Sequence, residues 1–230
     1  MADRIGAVIA AAGKADRMGE TDKVFALIAG KPLLAWVVEA FEACPLVNDI
    51  VIVLNEKNIE QGRTLVDERG YSKVTELCVG GPRRQDSVAR GLEQLRWCTW
   101  VIIHDGARPC VSRTLIERGL KEARGSGAAI AAVPVTDTVK RVGVDMVVEE
   151  TPSRESLWVA QTPQVFRWDM ITRAYREVVK ADVTDDAALL EAIGHKVKVY
   201  MGSYDNIKVT TPQDLALAEL ILTQSRRLVR

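Results

Sequence analysis

A turn of small residues and cations near the start of the sequence could bind phosphates. Residues 11–19 read Ala-Ala-Gly-Lys-Ala-Asp-Arg-Met-Gly, directly after an apolar run, and Lys23 follows. Small residues let backbone N–H groups approach a phosphate, and the charges of Arg17 and Lys23 could neutralise it. The pattern is also typical of a tight strand-to-helix turn with solvated cations, because it is neither a P-loop nor a dinucleotide-binding fingerprint. Nucleotide chemistry is therefore the first hypothesis.

Polar residues follow four later apolar runs in the same way. They occupy the segments Gly80 to Ser87, Asp105 to Pro109, Thr136 to Lys140 and Asp205 to Lys208. In an open α/β sheet the loops at the carboxyl ends of the strands meet, and ligands bind there. Together with the first turn, these loops predict one site that brings cations, carboxylates and glycines to one edge of the sheet.

Asp105 is a candidate metal ligand. It follows Val-Ile-Ile-His, so its carboxylate would lie at the end of a buried strand, where a charge is costly unless it is paired or bound to a metal. A hard oxygen ligand beside phosphates suits Mg²⁺, and an ion pair with Arg108 is the alternative. The preceding His104 is expected to be a core histidine with its hydrogen bonds satisfied.

Two further candidates also have a structural alternative. Gly80 and Gly81 could bring the backbone close to a flat base, so that amides and Ser87 read its edge. They could instead form a turn in which Asp86 or Ser87 caps the next helix, and both interpretations can hold together. Lys208 could be an exposed lysine on an edge strand, but the polar residues directly before it favour a site.

Several catalytic patterns are absent from the sequence. It has no Ser-His-Asp pattern, no G-x-S-x-G elbow, no evident nucleophilic cysteine and no paired general acid and base. Cations and a carboxylate without a nucleophile suit phosphoryl or nucleotidyl transfer, in which positioning and charge neutralisation supply most of the rate. The substrate would then bring its own nucleophile.

Composition narrows the class of protein further. The 230 residues, 47% of them apolar, fit one α/β domain or at most two small ones, and we favour one domain spanning residues 1–230. Acidic and basic residues balance at 31 each, so no basic field for nucleic acid is expected. The four cysteines are widely spaced and only two histidines could help complete a zinc site. With no signal peptide or membrane-spanning run evident, we expect a cytoplasmic protein that binds neither nucleic acid nor membrane.

Alternating apolar runs and helical patterns predict a doubly wound, mostly parallel α/β sheet with helices on both faces. The predicted strands are Ile5 to Ala11, Ile50 to Leu54, Val74 to Val79, Val101 to His104, Ala128 to Val135 and Val197 to Met201. The predicted helices are Leu33 to Cys44, Ile59 to Glu68, Gln85 to Leu95, Arg113 to Glu122, Met170 to Val179, Asp185 to Ile193 and Pro212 to Thr223. Residues 137–157 break the alternation and predict a protruding β-hairpin arm, which would need another surface, such as a second subunit, to be stable.

The combination of these motifs resembles the 2-C-methyl-D-erythritol 4-phosphate cytidylyltransferase family of the non-mevalonate isoprenoid pathway. The resemblance runs from about Ile5 to Thr223. Its four main blocks are Ala-Ala-Gly-x-x-x-Arg-Met-Gly, Gly-Gly-x-x-Arg-x-Asp-Ser-Val from Gly80, His-Asp-x-Ala-Arg-Pro from His104 and Asp-Asn-Ile-Lys-Val-Thr from Asp205. The resemblance implies a Rossmann-like nucleotidyltransferase that joins CTP to methylerythritol 4-phosphate and releases pyrophosphate.

The resemblance also implies roles for particular residues. Arg17, Lys23 and Lys208 would be catalytic, because they would stabilise charge as the substrate phosphate attacks the α-phosphorus of CTP. The CTP-binding residues would be Ala11, Ala12, Gly13, Gly80, Gly81, Arg84, Ser87, Asp105 and Gly106. Asp105 would hold Mg²⁺ on the nucleotide phosphates or contact the ribose region, and Asp205 would be a further metal ligand. The family usually has a proline where this chain has Asp22, an acid that would partly offset the positive charge meant for the triphosphate.

Five residues match family positions for the sugar phosphate. They are Arg108, Thr162, Thr184, Thr138 and Arg154. The last two match positions on the β-hairpin arm, which in this family reaches into the partner's site of a homodimer. The alternatives are a cytidylyltransferase for another polyol phosphate, such as ribitol 5-phosphate, and a nucleotide-binding module without catalysis.

Overall fold

The computed structural model describes residues 3–13, 22–178 and 183–228. Its strands are β1 (Ile5–Ala11), β2 (Leu27–Ile28), β3 (Lys31–Pro32), β4 (Asp49–Leu54), β5 (Val74–Val79), β6 (Trp100–Asp105), β7 (Ala128–Pro134), β8 (Arg141–Val142), β9 (Val148–Glu150), β10 (Trp158–Arg167) and β11 (Lys198–Met201). Its α-helices are α1 (Leu33–Glu42), α2 (Ile59–Arg69), α3 (Arg84–Glu93), α4 (Arg113–Ser126), α5 (Trp168–Glu177), α6 (Ala187–Ala192) and α7 (Pro212–Leu228). Short 3₁₀ helices cover Lys23–Phe25, Glu56–Asn58 and Arg154–Ser156.

The central sheet has seven strands in the order β11, β7, β10, β6, β1, β4, β5. Neighbouring strands are parallel except at β10, which runs antiparallel to both β6 and β7. This arrangement confirms the prediction of a mostly parallel α/β sheet. Strand β10 was not predicted, since Pro163 interrupts its pattern and its register against β7 shifts between Ala160 and Gln164.

The central strands are apolar on both faces because helices cover both sides of the sheet. Residues of β1 alternate between two hydrophobic clusters: Ile9 belongs to one, which includes Phe41 of α1, and Val8 to the other, which includes Leu92 of α3. Six-residue β4 and β6 are buried throughout. Burial on both faces explains their near-continuous apolar sequence, which is typical of parallel strands.

The helix after the last strand begins where its sequence indicates. Asp214 accepts hydrogen bonds of 2.8 Å from the backbone N–H groups of both Thr210 and Thr211, which caps the start of α7. Among the helices of the described ranges, none has the length and apolarity needed to cross a membrane.

The predicted β-hairpin arm is present. Strands β8 and β9 pair in antiparallel fashion as a separate two-stranded sheet. Val144 and Met146 at its turn are fully and 83% exposed, respectively. The backbone N–H of Val135 donates to the carbonyl of Leu157 at 3.0 Å, which joins the two ends of the arm where they leave the central sheet. The hairpin therefore projects from the sheet with apolar side chains in solvent.

A substitution at Gly91 tests how closely α3 packs on the sheet. A Cβ atom at Gly91 would lie 2.6 Å from Cγ1 of Val8 and 3.0 Å from Cγ2 of Val53. We expect Gly91→Ala to lower the free energy of unfolding by about 1–3 kcal/mol, because the core must shift to admit the methyl group. Urea unfolding measures this change.

Gly125 of α4 supplies the matched control. No heavy atom lies within 4 Å of the position of its Cβ. Gly125→Ala should therefore stabilise the protein by up to about 1 kcal/mol through helix propensity. Equal effects of the two substitutions would contradict the close packing of α3 on β1 and β4.

Candidate active site

Two adjoining cavities open at the carboxyl-end edge of the sheet. The larger has a volume of about 370 Å³ and the smaller of about 220 Å³. Arg84, Asp105 and Lys208 line both of them. The cavities therefore meet at a group of charged side chains contributed by α3, the end of β6 and the loop after β11.

Asp105 is the centre of this group. Its Oδ1 lies 3.0 Å from Nε of Arg84, and its Oδ2 lies 2.9 Å from Nζ of Lys208 and 3.6 Å from Nε of Arg108. Burial alone would raise the pKa of the Asp105 carboxyl, but the charges of Arg84, Lys208 and then Arg108 outweigh it and hold that pKa far below its usual range. Asp105 is therefore a carboxylate at neutral pH.

The ion-pair interpretation of Asp105 is confirmed. The ion pair with Arg108 exists, and the contacts to Arg84 and Lys208 are shorter. In the described part of the chain, no group of three or more His, Cys, Asp or Glu side chains could hold a metal ion. Asp205 is exposed on the turn after β11 and lines neither cavity. A metal-ligating role for Asp105 and Asp205 stays a prediction.

The larger cavity contains most of the predicted CTP-binding residues. Its lining includes Ala11, Ala12, Gly13, Gly80, Gly81, Arg84, Ser87 and Asp105, together with the predicted catalytic Lys23 and Lys208. Gly106 lies behind this wall, where its N–H donates to the carbonyl of Ala10 at 2.8 Å, and it does not line the cavity. The prediction for Gly106 stays without support from the cavity geometry.

The turn at Gly80 and Gly81 needs glycine because other atoms approach closely. A Cβ at Gly80 would lie 2.4 Å from Cβ of Ala12, and a Cβ at Gly81 would lie 2.4 Å from Cβ of Asp86. The hydroxyl of Ser87 accepts from the N–H of Gly81 at 3.1 Å, and Asp86 accepts from the N–H of Arg83 at 3.2 Å. The capped-turn interpretation is therefore confirmed.

The two glycine amides have acceptors inside the protein. The N–H of Gly80 donates to the carbonyl of Leu54 at 2.7 Å, and that of Gly81 is held by Ser87. Neither amide can read a base without giving up its present bond. The two glycines therefore allow close backbone approach, and a CTP-binding role for Gly80 and Gly81 stays a prediction.

Lys23 begins a 3₁₀ helix whose start is fixed by Asp22. The Asp22 carboxylate accepts from the N–H of Val24 at 3.2 Å and from the Asn55 side chain at 2.8 Å, and it also accepts from the Asn58 side chain. Asp22 therefore ties this turn to the loop after β4. The predicted catalytic Arg17 lies outside the described residues.

The smaller cavity contains three of the five residues predicted for the sugar phosphate. Arg108, Thr162 and Thr184 line it. Thr138 and Arg154 line neither cavity, because they lie on the arm, where Arg154 Nη1 donates to the carbonyl of Thr136 at 2.8 Å. A role for these two arm residues in a partner's site stays a prediction.

Thr162 and His104 fix the end of strand β6. The N–H of Asp105 donates to Oγ1 of Thr162 at 3.0 Å, and Thr162 Oγ1 lies 3.0 Å from Nδ1 of His104. Nε2 of His104 lies 3.1 Å from the carbonyl of Arg108, so the Nε2–H tautomer satisfies every group. His104 is fully buried, which confirms the prediction of a satisfied core histidine.

Several residues of the site were missed in the sequence. Gln161, Gln164 and Asp185 line the smaller cavity, and Asp186 pairs with Arg84 at 2.8 Å. Asn206, which the sequence placed in the polar loop before Lys208 without a role of its own, is fully buried and donates to the carbonyl of Thr162 at 2.7 Å. The only sequence signal for Asp185 and Asp186 was their position directly after Thr184. Gln161 and Gln164 belong to β10, which was not predicted.

A sequence profile of the family described as 2-C-methyl-D-erythritol 4-phosphate cytidylyltransferase matches residues 5–224. A protein of that name from Dehalococcoides mccartyi is 48% identical over 224 residues, which are 97% of this chain and 98% of the relative. The chain belongs to this family. A further cytidylyltransferase of the same name, from Pelotomaculum thermopropionicum, is 46% identical over 96% of this chain and 94% of its own length.

Solved structures of cytidylyltransferases have the same fold. The 4-diphosphocytidyl-2C-methyl-D-erythritol synthase of Anaerococcus prevotii matches with a TM-score of 0.86 at 29% identity, over 96% of this chain and 99% of its own. The 2-C-methyl-D-erythritol 4-phosphate cytidylyltransferase of Thermus thermophilus matches with a TM-score of 0.78 at 33% identity, over 94% and 98%. The cytidylyltransferase fold therefore extends over nearly the whole chain.

His104 should make this cytidylyltransferase less stable in mild acid. Burial lowers the pKa of His104 to about 4, whereas an unfolded chain's histidine titrates near 6.5. Between these values the unfolded state binds a proton that the folded state does not, so stability falls as the pH falls. We expect a loss of about 2 kcal/mol in the free energy of unfolding between pH 7.5 and pH 5, measured by urea unfolding.

Substitution of the second histidine, His195, is the control for this pH-dependent loss of stability. His104→Gln should remove most of the dependence on pH, whereas His195→Gln, just after the turn that ends α6, should keep it. Carboxyls with a lowered pKa, such as Asp105, change the free energy of unfolding mainly below about pH 5. They are protonated only below the usual carboxyl pKa, which is near 4. Equal pH dependence in His104→Gln and the parent protein would show that His104 is not the group responsible.

Proposed function

We propose that this protein transfers the cytidylyl group of CTP to 2-C-methyl-D-erythritol 4-phosphate and releases pyrophosphate. The observation that carries the proposal is the meeting of two cavities at Arg84, Asp105 and Lys208. A transfer between two phosphate-bearing substrates needs both anions beside the same cations. Membership of the cytidylyltransferase family supplies the identity of the two substrates.

The reaction needs no nucleophile from the protein. An oxygen of the sugar phosphate attacks the α-phosphorus of CTP, a new P–O bond forms, and the bond from that phosphorus to the bridging oxygen breaks, so pyrophosphate leaves with the electron pair. Lys23 lines the larger cavity but not the smaller one, and Lys208 lines both cavities. We place CTP in the larger cavity, so that Lys23 and Lys208 stabilise the developing charge from different sides.

Mg²⁺ fits this proposal as an ion carried mainly by the nucleotide. Among the described residues, Asp105 is the only carboxylate that lines both cavities, and its oxygens already contact three cations. Its hard oxygens are suited to this cation. Bound there, Mg²⁺ would supply further neutralisation of the CTP phosphates. Arg84 and Lys208 would keep Asp105 ionised and oriented.

The substrate comparison tests the proposal directly. With CTP and Mg²⁺, purified protein should release pyrophosphate rapidly when given methylerythritol 4-phosphate and at least about tenfold more slowly with ribitol 5-phosphate. Coupled detection of pyrophosphate measures both rates. A preference for ribitol 5-phosphate would transfer the assignment to that substrate, and no turnover with either would favour a binding module without catalysis.

Two lysine variants show that any turnover comes from this site. Lys23→Ala and Lys208→Ala should each lower kcat by about 100-fold or more, since each removes a cation beside the reacting phosphates. Their urea unfolding midpoints should stay close to that of the parent protein. Near-normal turnover in either variant would remove that lysine from the mechanism.

We also propose that the protein is a homodimer in which the arm of one subunit completes the site of the other. The arm carries Thr138 and Arg154, and it exposes Val144, Met146 and Val147 to solvent. Exposed apolar side chains at a protruding hairpin favour a protein partner, and a second copy provides one. Arg154 would then supply a guanidinium to the sugar phosphate of the partner's site.

Mixed dimers test this arrangement. Arg154→Ala removes the function of the arm and Lys208→Ala that of the cavity, so each homodimer should be nearly inactive. If the arm acts in the partner's site, a heterodimer retains one intact site, and random 1:1 pairing should restore about a quarter of parental activity. Co-expression with two different affinity tags isolates the heterodimer.

The outcome separates the two possible arrangements of the arm. Restored activity requires that Arg154 and Lys208 of different subunits meet in one site. If the purified heterodimer is as inactive as the two parents, the arm does not serve a partner's site.

We infer a cytoplasmic location for this enzyme. Cys44, Cys78, Cys98 and Cys110 are all free thiols. Unpaired cysteines are typical of a reducing compartment.

A further inference from the structure

Arg84 is held by carboxylates on two sides. On the side of the cavities, its Nε lies 3.0 Å from Oδ1 of Asp105. On the other side, its Nη2 lies 2.8 Å from Oδ2 of Asp186, whose side chain is 1% exposed. A guanidinium fixed by two carboxylates through different nitrogens has little freedom to rotate.

The Asp186 carboxylate is itself oriented by a tyrosine. Its Oδ1 accepts a hydrogen bond of 2.6 Å from the hydroxyl of Tyr175 on α5. Burial, and then the charge of Asp186, raises the pKa of Tyr175, so the hydroxyl remains a donor at physiological pH. Oδ1 of Asp186 thus has a hydrogen bond from Tyr175, and Oδ2 has a charge contact with Arg84 that is not aligned as a hydrogen bond. The carboxylate links α5 to the first residue of α3.

Helix capping does not explain why Asp186 is buried here. Asp186 directly precedes α6, but its side chain makes no hydrogen bond to the start of that helix. Its neighbour Asp185 does so, since Oδ1 of Asp185 accepts from the N–H of Ala188 at 3.1 Å. Burial of a carboxylate is costly without compensating partners, and the partners that Asp186 has are Arg84 and Tyr175.

The reaction gives this second carboxylate a purpose. Arg84 lines both cavities, and its partner Asp105 also contacts Lys208 and Arg108. Phosphates bound in the cavities would compete with Asp105 for these cations and would weaken its hold on Arg84. Asp186 lines neither cavity, so phosphates bound in the cavities would not compete directly for its contact with Arg84.

We propose that Asp186, oriented by Tyr175, is the positioning residue that holds Arg84 at the junction of the two cavities during cytidylyl transfer. The proposal rests on the proposed function, because it assigns Arg84 to the phosphates of that reaction. Asp186 acts through Arg84 and does not touch substrate.

A double-mutant cycle tests the proposal. Asp186→Asn keeps the shape of the side chain and should lower kcat/KM by about 10- to 100-fold, since it removes the charge from an ion pair. Tyr175→Phe should lower it by about three- to tenfold. In an Arg84→Ala background, Asp186→Asn should change kcat/KM by less than about twofold, because the group that it positions is gone.

Two substitutions elsewhere serve as matched controls. Asp49 is also a buried carboxylate paired with an arginine, at 2.7 Å from Arg4, and it lies at the opposite end of the sheet. Tyr71 has its hydroxyl 3.5 Å from a carboxylate oxygen of Glu39. Asp49→Asn and Tyr71→Phe should leave kcat/KM within about twofold of the parent value, whatever they do to the unfolding midpoint.

The outcomes decide the proposal in each case. If Asp186→Asn and Tyr175→Phe both retain parental kcat/KM, or if Asp186→Asn costs as much without Arg84 as with it, Asp186 does not act through Arg84. If Asp186→Asn does not fold, Tyr175→Phe with and without Arg84→Ala provides the same cycle.

A binding measurement separates this proposal from the proposed function. Calorimetry should show weaker binding of CTP with Mg²⁺ to Asp186→Asn than to the parent, and equal binding once Arg84 is alanine. Absence of turnover in the parent protein would overturn the proposed function, and the calorimetric cycle would still decide the role of Asp186. If Asp186→Asn and the parent protein, which both retain Arg84, bind CTP with equal affinity and have equal kcat/KM, the positioning role alone is overturned.

Discussion

A carboxylate buried at the end of a central strand is the constraint around which this site is built. Asp105 is 7% exposed at the end of β6, and a charge in that position is costly unless cations compensate it. Arg84, Lys208 and Arg108 provide the compensation from three separate segments of the chain. The carboxylate therefore gathers, at one point of the sheet edge, the cations that a transfer between two phosphates requires.

Strand β10 aligns these segments. Thr162 accepts from the N–H of Asp105, which fixes the end of β6, and its carbonyl accepts from the buried amide of Asn206. Asn206 in turn presents its carbonyl to Arg108 at 2.8 Å and lies two residues before Lys208. The antiparallel strand thus connects the loop of Asp105 to the loop of Lys208 through hydrogen bonds, and the smaller cavity forms between them.

The sequence predicts those parts of the site that depend on neighbouring residues. Buried parallel strands appear as apolar runs, and the loops after them must meet, so the positions of Gly80, Asp105 and Lys208 were predictable. Strand β10 was not, because Pro163 and a register shift disrupt its alternation. The pairing of Asp186 with Arg84 is a tertiary contact between segments about a hundred residues apart, and no local pattern encodes it.

The charges of the site indicate how it can bind two anions without a large net positive charge in the ligand-free protein. Three cations, Arg84, Arg108 and Lys208, face the carboxylates Asp105 and Asp186, so the group carries a small net positive charge before substrates bind. Asp105 lies on the cavity side and can give up part of its hold on the cations as phosphates arrive. Asp186 lies behind Arg84 and cannot be displaced in this way. One carboxylate therefore stands in for the substrates, while the other keeps the guanidinium in place, and this division explains why a phosphate-binding site contains two buried acids.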